Sequence, residues 1–129
     1  MKQIDRLMII DDDEVVIFLA KLVINQFSSI KNIDSYTKPE EAYNDLKNGT
    51  VALPDIILLD LNMPIMDGWE FLDLLKDEHL ITQVPIVILT SSIDPADKKK
   101  SSLYSNVIDF ISKPLSQSKL EELIAKLSK

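Results

Sequence analysis

Short apolar runs alternate with segments of helical periodicity along this chain. Three runs consist only of Leu, Ile, Val and Met, at Leu7–Ile10, Ile56–Leu59 and Ile86–Leu89. Two weaker runs, Asn32–Thr37 and Val107–Ile111, also contain polar residues. Because strands that alternate with helices form parallel sheets covered on both faces, the pattern predicts an α/β fold with the element order (βα)₅.

The composition of the runs also predicts the order of the strands. Continuously apolar strands are covered on both faces and lie inside a sheet. The second and fifth runs are interrupted by Asp34, Ser35 and Asp109, which suits strands at the edges. This arrangement is the doubly wound, flavodoxin-like order 2-1-3-4-5. With 129 residues, 46% of them hydrophobic, the chain is predicted to form a single domain over residues 1–129.

The first two helices are predicted from an apolar stripe and from a cap. The first helix is expected from about Glu14 to Phe27. Its core-facing stripe is expected at Val16, Leu19, Ala20, Val23 and Phe27. The second helix is expected to begin at Thr37, since Thr37 and Glu40 have the spacing of a capping box.

The other three helices follow turn or cap signals. The third is expected after Asp67 and Gly68, with Trp69 packed in the core or at the flank of the helix. The fourth is expected after Asp94, because Pro95 then occupies the first helical position. The fifth carries an apolar stripe at Leu120, Leu123, Ile124 and Leu127.

Polar residues follow the apolar runs at the edge where doubly wound sheets form their sites. Residues 11–13 are three consecutive Asp after the first run, and Asp60 follows the third run. Thr90 ends the fourth run, and Lys113 follows the fifth. Any one Asp alone is explained as a helix cap or turn residue, and Asp13 fits the cap of the first helix. Acids, a hydroxyl and an amine at matching strand ends predict a reactive site.

The chemistry of these groups points to a metal ion and to phosphoryl transfer. Clustered carboxylates resist ionisation without a partner, and oxygen ligands in small number suit Mg²⁺, or Mn²⁺ in its place. The carboxylate of Asp60 can act as a nucleophile toward phosphorus and form an acyl phosphate. The Lys113 ammonium and the Thr90 hydroxyl would then stabilise the phosphoryl charge.

The sequence resembles the receiver domain of the response regulators of bacterial two-component systems, including the chemotaxis regulators. The resemblance rests on four segments, residues 7–13, 54–68, 88–91 and 110–114, which occur in family order and at family spacing. Together they span nearly the whole chain.

The resemblance implies a role for each matching residue. Asp60 would be the phosphoacceptor, and Asp12 and Asp60 would bind the metal directly. Asn62 would bind it through its backbone carbonyl, and Asp11 through water. Lys113 and Thr90 would contact the phosphoryl group.

The resemblance also implies a switch and partners. Phe110 would be the aromatic residue that turns inward as Thr90 moves, and the peptide bond from Lys113 to Pro114 is a candidate for the cis form. The phosphoryl donor would be a histidine kinase or a histidine phosphotransfer protein, and the downstream protein target is unknown. Such a chain is a regulatory phosphoacceptor, not an enzyme in the ordinary sense.

Composition limits the other classes of partner. The formal net charge of −7 disfavours direct binding to nucleic acid. The absence of cysteine excludes disulfides and zinc–thiolate sites. The apolar runs are too short to span a bilayer, so a cytoplasmic, stand-alone receiver without an output domain is expected. The single histidine, His79, is interpreted as an ordinary surface residue.

Phe18 is expected on the polar side of the first helix, flanked by Ile17 and Leu22. One interpretation is a scattered exposed apolar residue, which is common on protein surfaces. The other is a docking surface for the kinase or the phosphotransfer domain. The sequence leaves both open.

Four other functions compete with this interpretation. A haloacid-dehalogenase-like phosphohydrolase would use Asp11 and Asp13, but it leaves the Asp60 segment unexplained. An EF-hand starting at Asp60 fails, because Ile65 and Phe71 stand where the loop requires Gly and Glu. A flavin mononucleotide carrier is disfavoured by the acids after the first strand. A receiver that binds partners without being phosphorylated stays open.

Overall fold

Within residues 4–77 and 83–127, which the structure (a computed structural model) describes, five strands alternate with five helices. Their bounds are β1 (Arg6–Ile10), α1 (Glu14–Ile24), β2 (Asn32–Tyr36), α2 (Pro39–Asn48), β3 (Ile56–Leu59), α3 (Gly68–Leu75), β4 (Ile86–Thr90), α4 (Pro95–Ser101), β5 (Val107–Ser112) and α5 (Gln117–Leu127). The strands form one parallel sheet in the order β2-β1-β3-β4-β5. This confirms the predicted fold class and strand order. His79 lies outside the described residues.

Alternate residues of the central strands point to opposite faces of the sheet and form two apolar cores. One core contains Met8 and Ile57 with side chains from α2 and α3. The other contains Leu7 and Ile56 with side chains from α1 and α5. Every residue of β3 and β4 is at most 2% exposed, whereas all of β2 is partly exposed. The runs without polar residues are therefore the interior strands, as predicted.

The structure corrects the predicted core-facing side of α1. The buried residues of this helix are Ile17, Ala20 and Ile24. Ile17 therefore lies in the core rather than beside Phe18 on the exposed side, and Leu19, predicted to face the core, is 48% exposed. Residues 15–20 are all apolar, so the apolar pattern leaves the rotation of the helix about its axis undetermined.

The end of α1 lies three residues before the predicted one. Beyond Ile24 the helical hydrogen bonds give way to shorter turns, in which Gln26 N donates to Val23 O (3.1 Å) and Phe27 N to Ile24 O (3.0 Å). Such bonds between residues three apart tighten the last turn of many helices. Phe27 still packs against the core, although it lies outside the helix.

The predicted capping box at the start of α2 was wrong. Lys38, not Thr37, is the N-cap, and Pro39 occupies the first turn. A proline disfavours helical geometry in the residue before it, and Lys38 is extended with φ −125° and ψ 113°. The helix therefore starts at Pro39. Proline lacks a backbone N–H, and at the first helical position that N–H would have no partner within the helix.

The third and fourth helices begin where their caps predict, and the fifth carries its predicted apolar stripe. Asp67 and Asp94 are the N-caps of α3 and α4, and each accepts a hydrogen bond from a backbone N–H of the first turn. Leu120 and Leu123 are the buried residues of α5. Among the helices of the described residues, none combines the length and the apolarity needed to cross a membrane.

Trp69 joins α3 to α4. Its ring is half-buried and stacks on Tyr104 with 5.7 Å between centroids. The ammonium of Lys100, in the last turn of α4, lies 4.7 Å from the centre of the indole. The predicted packing at the flank of the helix is confirmed.

Candidate functional site

Asp11 and Asp60 directly follow the last residues of β1 and β3, and each is held there by a backbone hydrogen bond to a neighbouring strand. Asp11 N donates to Tyr36 O (3.0 Å), and Asp60 N donates to Ile10 O (3.0 Å). Both residues are thus fixed at the carboxyl edge of the sheet. Asp11, Asp12 and Asp60 each offer a carboxylate oxygen there, and these oxygens lie within 4.8 Å of one another. The structure brings together the acids that the sequence singled out.

The two buried carboxylates are oriented by backbone N–H groups. Asp11 Oδ1 accepts from Asp13 N (2.9 Å), and Asp60 Oδ1 accepts from Leu61 N (2.8 Å). Asp11 is 1% exposed and Asp60 is 4% exposed, while Asp12 is exposed. Asp13 caps α1 by accepting from Val15 N, as predicted.

Lys113 reaches the same cluster from the end of β5. Its Nζ lies 2.7 Å from Asp11 Oδ2 and 3.3 Å from Asp60 Oδ2. Lys113 N donates to Thr90 O (2.9 Å), which holds this residue against the end of β4. The peptide bond to Pro114 is cis, as the resemblance implied. The amine and the acids, far apart in sequence, form one charged cluster.

Burial and opposite charge compete in this cluster. Burial raises the pKa of Asp11, and the nearby Asp60 carboxylate raises it further. The Lys113 ammonium and the Asp13 N–H lower the pKa, but only in part. The pKa of Asp11 therefore stays above its ordinary value. Burial lowers the pKa of Lys113, but Asp11 and Asp60 outweigh it and the pKa is raised. Lys113 is therefore a cation at neutral pH.

One carboxylate oxygen of the cluster lacks a directed donor. Asp11 Oδ2 is buried and accepts no well-directed hydrogen bond from the described residues. The contact with Lys113 is therefore an ion pair rather than a hydrogen bond. A buried oxygen of this kind, beside two further carboxylates and no sulfur or nitrogen ligand, fits a hard divalent cation such as Mg²⁺. Asn62 is exposed two residues beyond Asp60.

Thr90 and Phe110 lie on the same face of the sheet. Thr90 is fully buried at the end of β4 and pairs with Ser112, while Phe110 pairs with Ile88. Residues two apart on a strand share a face. Phe110 is half-buried and packs against the core under α3. The hydroxyl Oγ1 of Thr90 accepts a hydrogen bond from Ser92 N (3.2 Å).

Gly68 lets α3 approach the acceptor strand. A Cβ at this position would lie 2.5 Å from Asp60 O and 2.9 Å from Leu61 Cα. Gly68 N donates to Leu61 O (2.9 Å), which ties the start of α3 to the end of β3. The sequence predicted a helix start here, but it gave no sign of this close approach to Asp60.

The sequence matches the family described as response regulator receiver domain over residues 7–125. Those residues include the whole charged cluster. The chain belongs to this family. The family match favours this interpretation over a phosphohydrolase, an EF-hand or a flavin carrier.

Similar proteins come from several lineages. The response regulator PleD of Caulobacter vibrioides is 34% identical over 112 residues, which are 85% of this chain and 23% of PleD. The two-component response regulator ORR41 of rice, Oryza sativa subsp. japonica, is 29% identical over 94% of this chain and 92% of its own. A two-component response regulator from Cytophaga hutchinsonii has a similar structure, with a TM-score of 0.88, 34% identity and 98% of both chains covered.

The receiver domain is a regulatory module in this family. Receiver domains bind Mg²⁺ through acidic residues and are phosphorylated by histidine kinases. This chain spans less than a third of the length of several curated relatives, among them a protein-glutamate methylesterase of Rhodopseudomonas palustris at 30%. The similarity therefore covers only a small part of those longer proteins and does not extend to their other activities.

The receiver domain also exposes an apolar surface on α1, here called the α1 patch. Its members are Val15 (64% exposed), Phe18 (61%), Leu19 (48%) and Leu22 (52%). Phe18 and Leu22 are exposed, as predicted from the sequence. Ile17, predicted beside them, is buried and does not belong to the patch. Val15 and Leu19 were not predicted as members, because the rotation of α1 was not known from its apolar pattern.

Proposed function

We propose that Asp60 accepts a phosphoryl group from the phosphohistidine of a histidine kinase or a histidine phosphotransfer protein. The observation that carries the proposal is the position of Lys113 Nζ, 2.7 Å from Asp11 Oδ2 and 3.3 Å from Asp60 Oδ2. This places a cation beside the acceptor carboxylate, where a phosphoryl group bears negative charge. Membership in the receiver family supports the same reaction.

The metal would be held by Asp11, Asp12 and Asp60, with the backbone carbonyl of Asn62 as a further oxygen ligand. Bound there, Mg²⁺ or Mn²⁺ would supply the positive charge that lets a phosphoryl group approach a cluster of carboxylates. Asp12 is exposed, so the ion would keep water on that side. Asp11 Oδ2, whose one close contact in the described residues is the ion pair with Lys113, supports this set of ligands.

The chain's own residues orient the transfer. A carboxylate oxygen of Asp60 attacks phosphorus, and a P–O bond forms as the P–N bond of phosphohistidine breaks. The electron pair of that bond stays on the imidazole nitrogen of the donor, and the product is an acyl phosphate. The N–H of Leu61 fixes Asp60 Oδ1 during this step (2.8 Å), and the Lys113 ammonium offsets the charge of the phosphoryl oxygens.

The signal would then pass from Thr90 to the protein surface. The Thr90 hydroxyl donates to the phosphoryl group, and Phe110, on the same face of the sheet, fills the space that Thr90 leaves. The surface formed by α4, β5 and α5 changes as a result, and an unidentified protein reads it by direct contact or by onward phosphotransfer. The phosphoryl group shifts this equilibrium only through its different interactions with the two states.

The α1 patch would dock the phosphoryl donor. It lies on the helix that Asp13 caps, directly after the metal-binding acids. Four exposed apolar residues within two turns exceed the scattered apolar residues of an ordinary surface. A donor seated there, in the cytoplasm, would present its phosphohistidine to the carboxyl edge of the sheet.

Intact mass after incubation with acetyl phosphate and Mg²⁺ tests the proposal. The wild-type protein should gain the mass of one phosphoryl group, and the gain should disappear with chelator. Asp60→Asn should gain none, while Asp77→Asn, which changes an exposed acid at the end of α3, should behave as wild type. Undiminished labelling of Asp60→Asn would overturn the proposal in favour of another acceptor.

A further inference from the structure

Three hydrogen bonds connect the Thr90 hydroxyl to the first turn of α4. Ser92 N donates to Thr90 Oγ1 (3.2 Å). The Ser92 hydroxyl donates to Asp97 Oδ2 (2.5 Å), and Asp94 N donates to Ser92 Oγ (3.3 Å). Ser92 is thus bonded on one side to the residue at the end of β4 and on the other side to α4.

Asp97 lies where its carboxylate has most effect on α4. It is the third residue of this helix of seven residues, and Asp97 N donates to Asp94 O (3.0 Å). A carboxylate in the first turn interacts favourably with the helix dipole. The bond from Ser92 is charge-assisted, and such bonds are about twice as strong as neutral ones. α4 contributes only Ser101 to the buried residues, so few apolar contacts fix its position.

We propose that Asp97 is a positioning residue that couples α4 to the Thr90 hydroxyl through Ser92. The inference rests on the proposed phosphorylation of Asp60 and names the side chain that carries the signal to α4. Before phosphorylation, Asp97 holds Ser92 in place, and Ser92 N holds Thr90 Oγ1. When Thr90 turns to the phosphoryl group, the bond from Ser92 N is lost and the first turn of α4 loses its tie to the sheet.

Coupling between two sites is reciprocal, so α4 and Thr90 influence each other through the same bonds. A partner that holds α4 in the tied position would favour the unphosphorylated arrangement of Thr90. A variant without the Ser92–Asp97 bond should have an α4 whose mobility no longer depends on the state of Asp60. That dependence is what separates a coupling residue from one that only stabilises the helix.

Amide hydrogen exchange over residues 93–103, measured with and without acetyl phosphate and Mg²⁺, tests the coupling. In the wild type, phosphorylation should speed exchange in this segment. In Asp97→Ala the exchange should already be fast and the response to phosphorylation should be lost, while intact mass still reports a phosphoryl group. Asp97→Asn keeps an oxygen acceptor for the Ser92 hydroxyl and should restore the response.

Ser92→Ala removes the bond to Asp97 from its other end, together with the bond that Asp94 N donates to the Ser92 hydroxyl. It should lose the response as Asp97→Ala does, and the double variant should lose no more than either single variant, because residues that share one interaction are not additive. Lys98→Ala, on the exposed side of the same helix, is the matched control and should respond as wild type.

The outcomes separate this inference from the proposed function. A response in Asp97→Ala equal to that of the wild type would overturn the coupling and leave Asp60 as the acceptor. No response in the wild type, or no rescue by Asp97→Asn, would also overturn it. No phosphoryl mass on the wild-type protein would remove the proposed function, and the coupling with it.

Discussion

Lys113 Nζ lies 2.7 Å from Asp11 Oδ2 at the carboxyl edge of the sheet. The two residues come from the ends of β5 and β1, which are separated in the sheet by β3 and β4. The lysine reaches across both strands and also lies 3.3 Å from Asp60 Oδ2. One ammonium thus offsets two buried carboxylates, and the site depends on it in the absence of metal.

Removing Lys113 should destabilise the metal-free protein. Lys113→Met leaves Asp11 and Asp60 buried without their cation, and we expect the free energy of unfolding to fall by about 3 kcal/mol. Urea unfolding in chelator measures this. Mg²⁺ should restore more stability to the variant than it adds to the wild type. Lys98→Met removes the same charge from an exposed position and should have little effect; equal losses in the two variants would contradict the account.

Adding a methyl group at Gly68 should disturb the acceptor. In Gly68→Ala the new Cβ meets the backbone oxygen of Asp60 at 2.5 Å, and backbone atoms cannot move aside without shifting Asp60. We expect a loss of about 2 kcal/mol, as for other overpacked sites, and slower labelling by acetyl phosphate. Thermal unfolding and the labelling rate measure the two effects.

Gly49→Ala is the matched control for Gly68. Gly49 has φ 72°, and a methyl group added at its Cα would meet nothing within 4 Å, so only backbone strain is added. It should destabilise by about 1 kcal/mol and leave the labelling rate unchanged. Slower labelling of this variant would mean that stability, and not the geometry at Asp60, governs the rate.

Ile65 should be a site of stabilising substitution. It has φ 71°, a left-handed conformation that a β-branched side chain rarely adopts, and it is 90% exposed. Ile65→Asn keeps the conformation at lower cost and gives up little packing, so we expect a gain of about 1 kcal/mol. Ile93→Asn, at a residue that is 95% exposed, makes the same chemical change without relief of strain. Equal effects of the two substitutions on urea unfolding would argue against strain at Ile65.

Tyr104 should make stability fall at alkaline pH. Burial and the hydrogen bond that its hydroxyl donates to Asp73 (2.8 Å) raise the pKa of Tyr104 from 10.0 to about 12. A raised pKa means that the folded state keeps a proton that the unfolded state loses above pH 10. Tyr104 therefore contributes about 3 kcal/mol to the free energy of unfolding. This contribution is fully present below about pH 10 and is lost by about pH 12.

Urea unfolding of Tyr104→Phe across this pH range isolates that contribution. The variant keeps the ring against Trp69 and under the Lys76 ammonium, and it lacks only the hydroxyl. Its free energy of unfolding should fall less steeply above pH 10 than that of the wild type. Parallel curves would show that the hydroxyl of Tyr104 is not the group responsible.

Phe18 should matter for the natural donor and not for a small one. Phe18→Ala removes the aromatic side chain of the α1 patch, which is 61% exposed and contributes little to the core. We expect phosphotransfer from the cognate histidine donor to slow about thirtyfold, because truncating a hot-spot residue costs about 2 kcal/mol, with labelling by acetyl phosphate unchanged. Leu103→Ala, 75% exposed and remote from α1, is the control. Unchanged transfer from the cognate donor would rule out the patch as its docking surface.

Much of the fold and of the charged cluster could be predicted from the sequence. The apolar runs ending in Asp60 and Thr90 defined interior strands, and parallel strands bring their carboxyl ends to one edge. The position of Lys113 followed from the same rule. These features depend on residue type along single strands, so no knowledge of tertiary contacts was needed to predict them.

Other features depend on contacts that the sequence does not reveal. Six consecutive apolar residues left the rotation of α1 open, which is why Ile17 was assigned to the wrong side. The Thr37 capping box was wrong because Pro39 fixes the start of α2. The need for glycine at position 68 and the Ser92–Asp97 bond arise where α3 and α4 meet the ends of β3 and β4. The periodicity of apolar residues along the chain does not predict contacts of this kind between separate elements.

Chemical identification of the phosphorylated residue tests the central claim most directly. Borohydride reduces an acyl phosphate to an alcohol, so an aspartyl phosphate formed with acetyl phosphate and Mg²⁺ is converted to homoserine. Peptide mass spectrometry should find homoserine at the position of Asp60 and at no other acid of the cluster. Homoserine at Asp11 or Asp12, or none at Asp60 after a phosphoryl mass has been gained, would contradict the account.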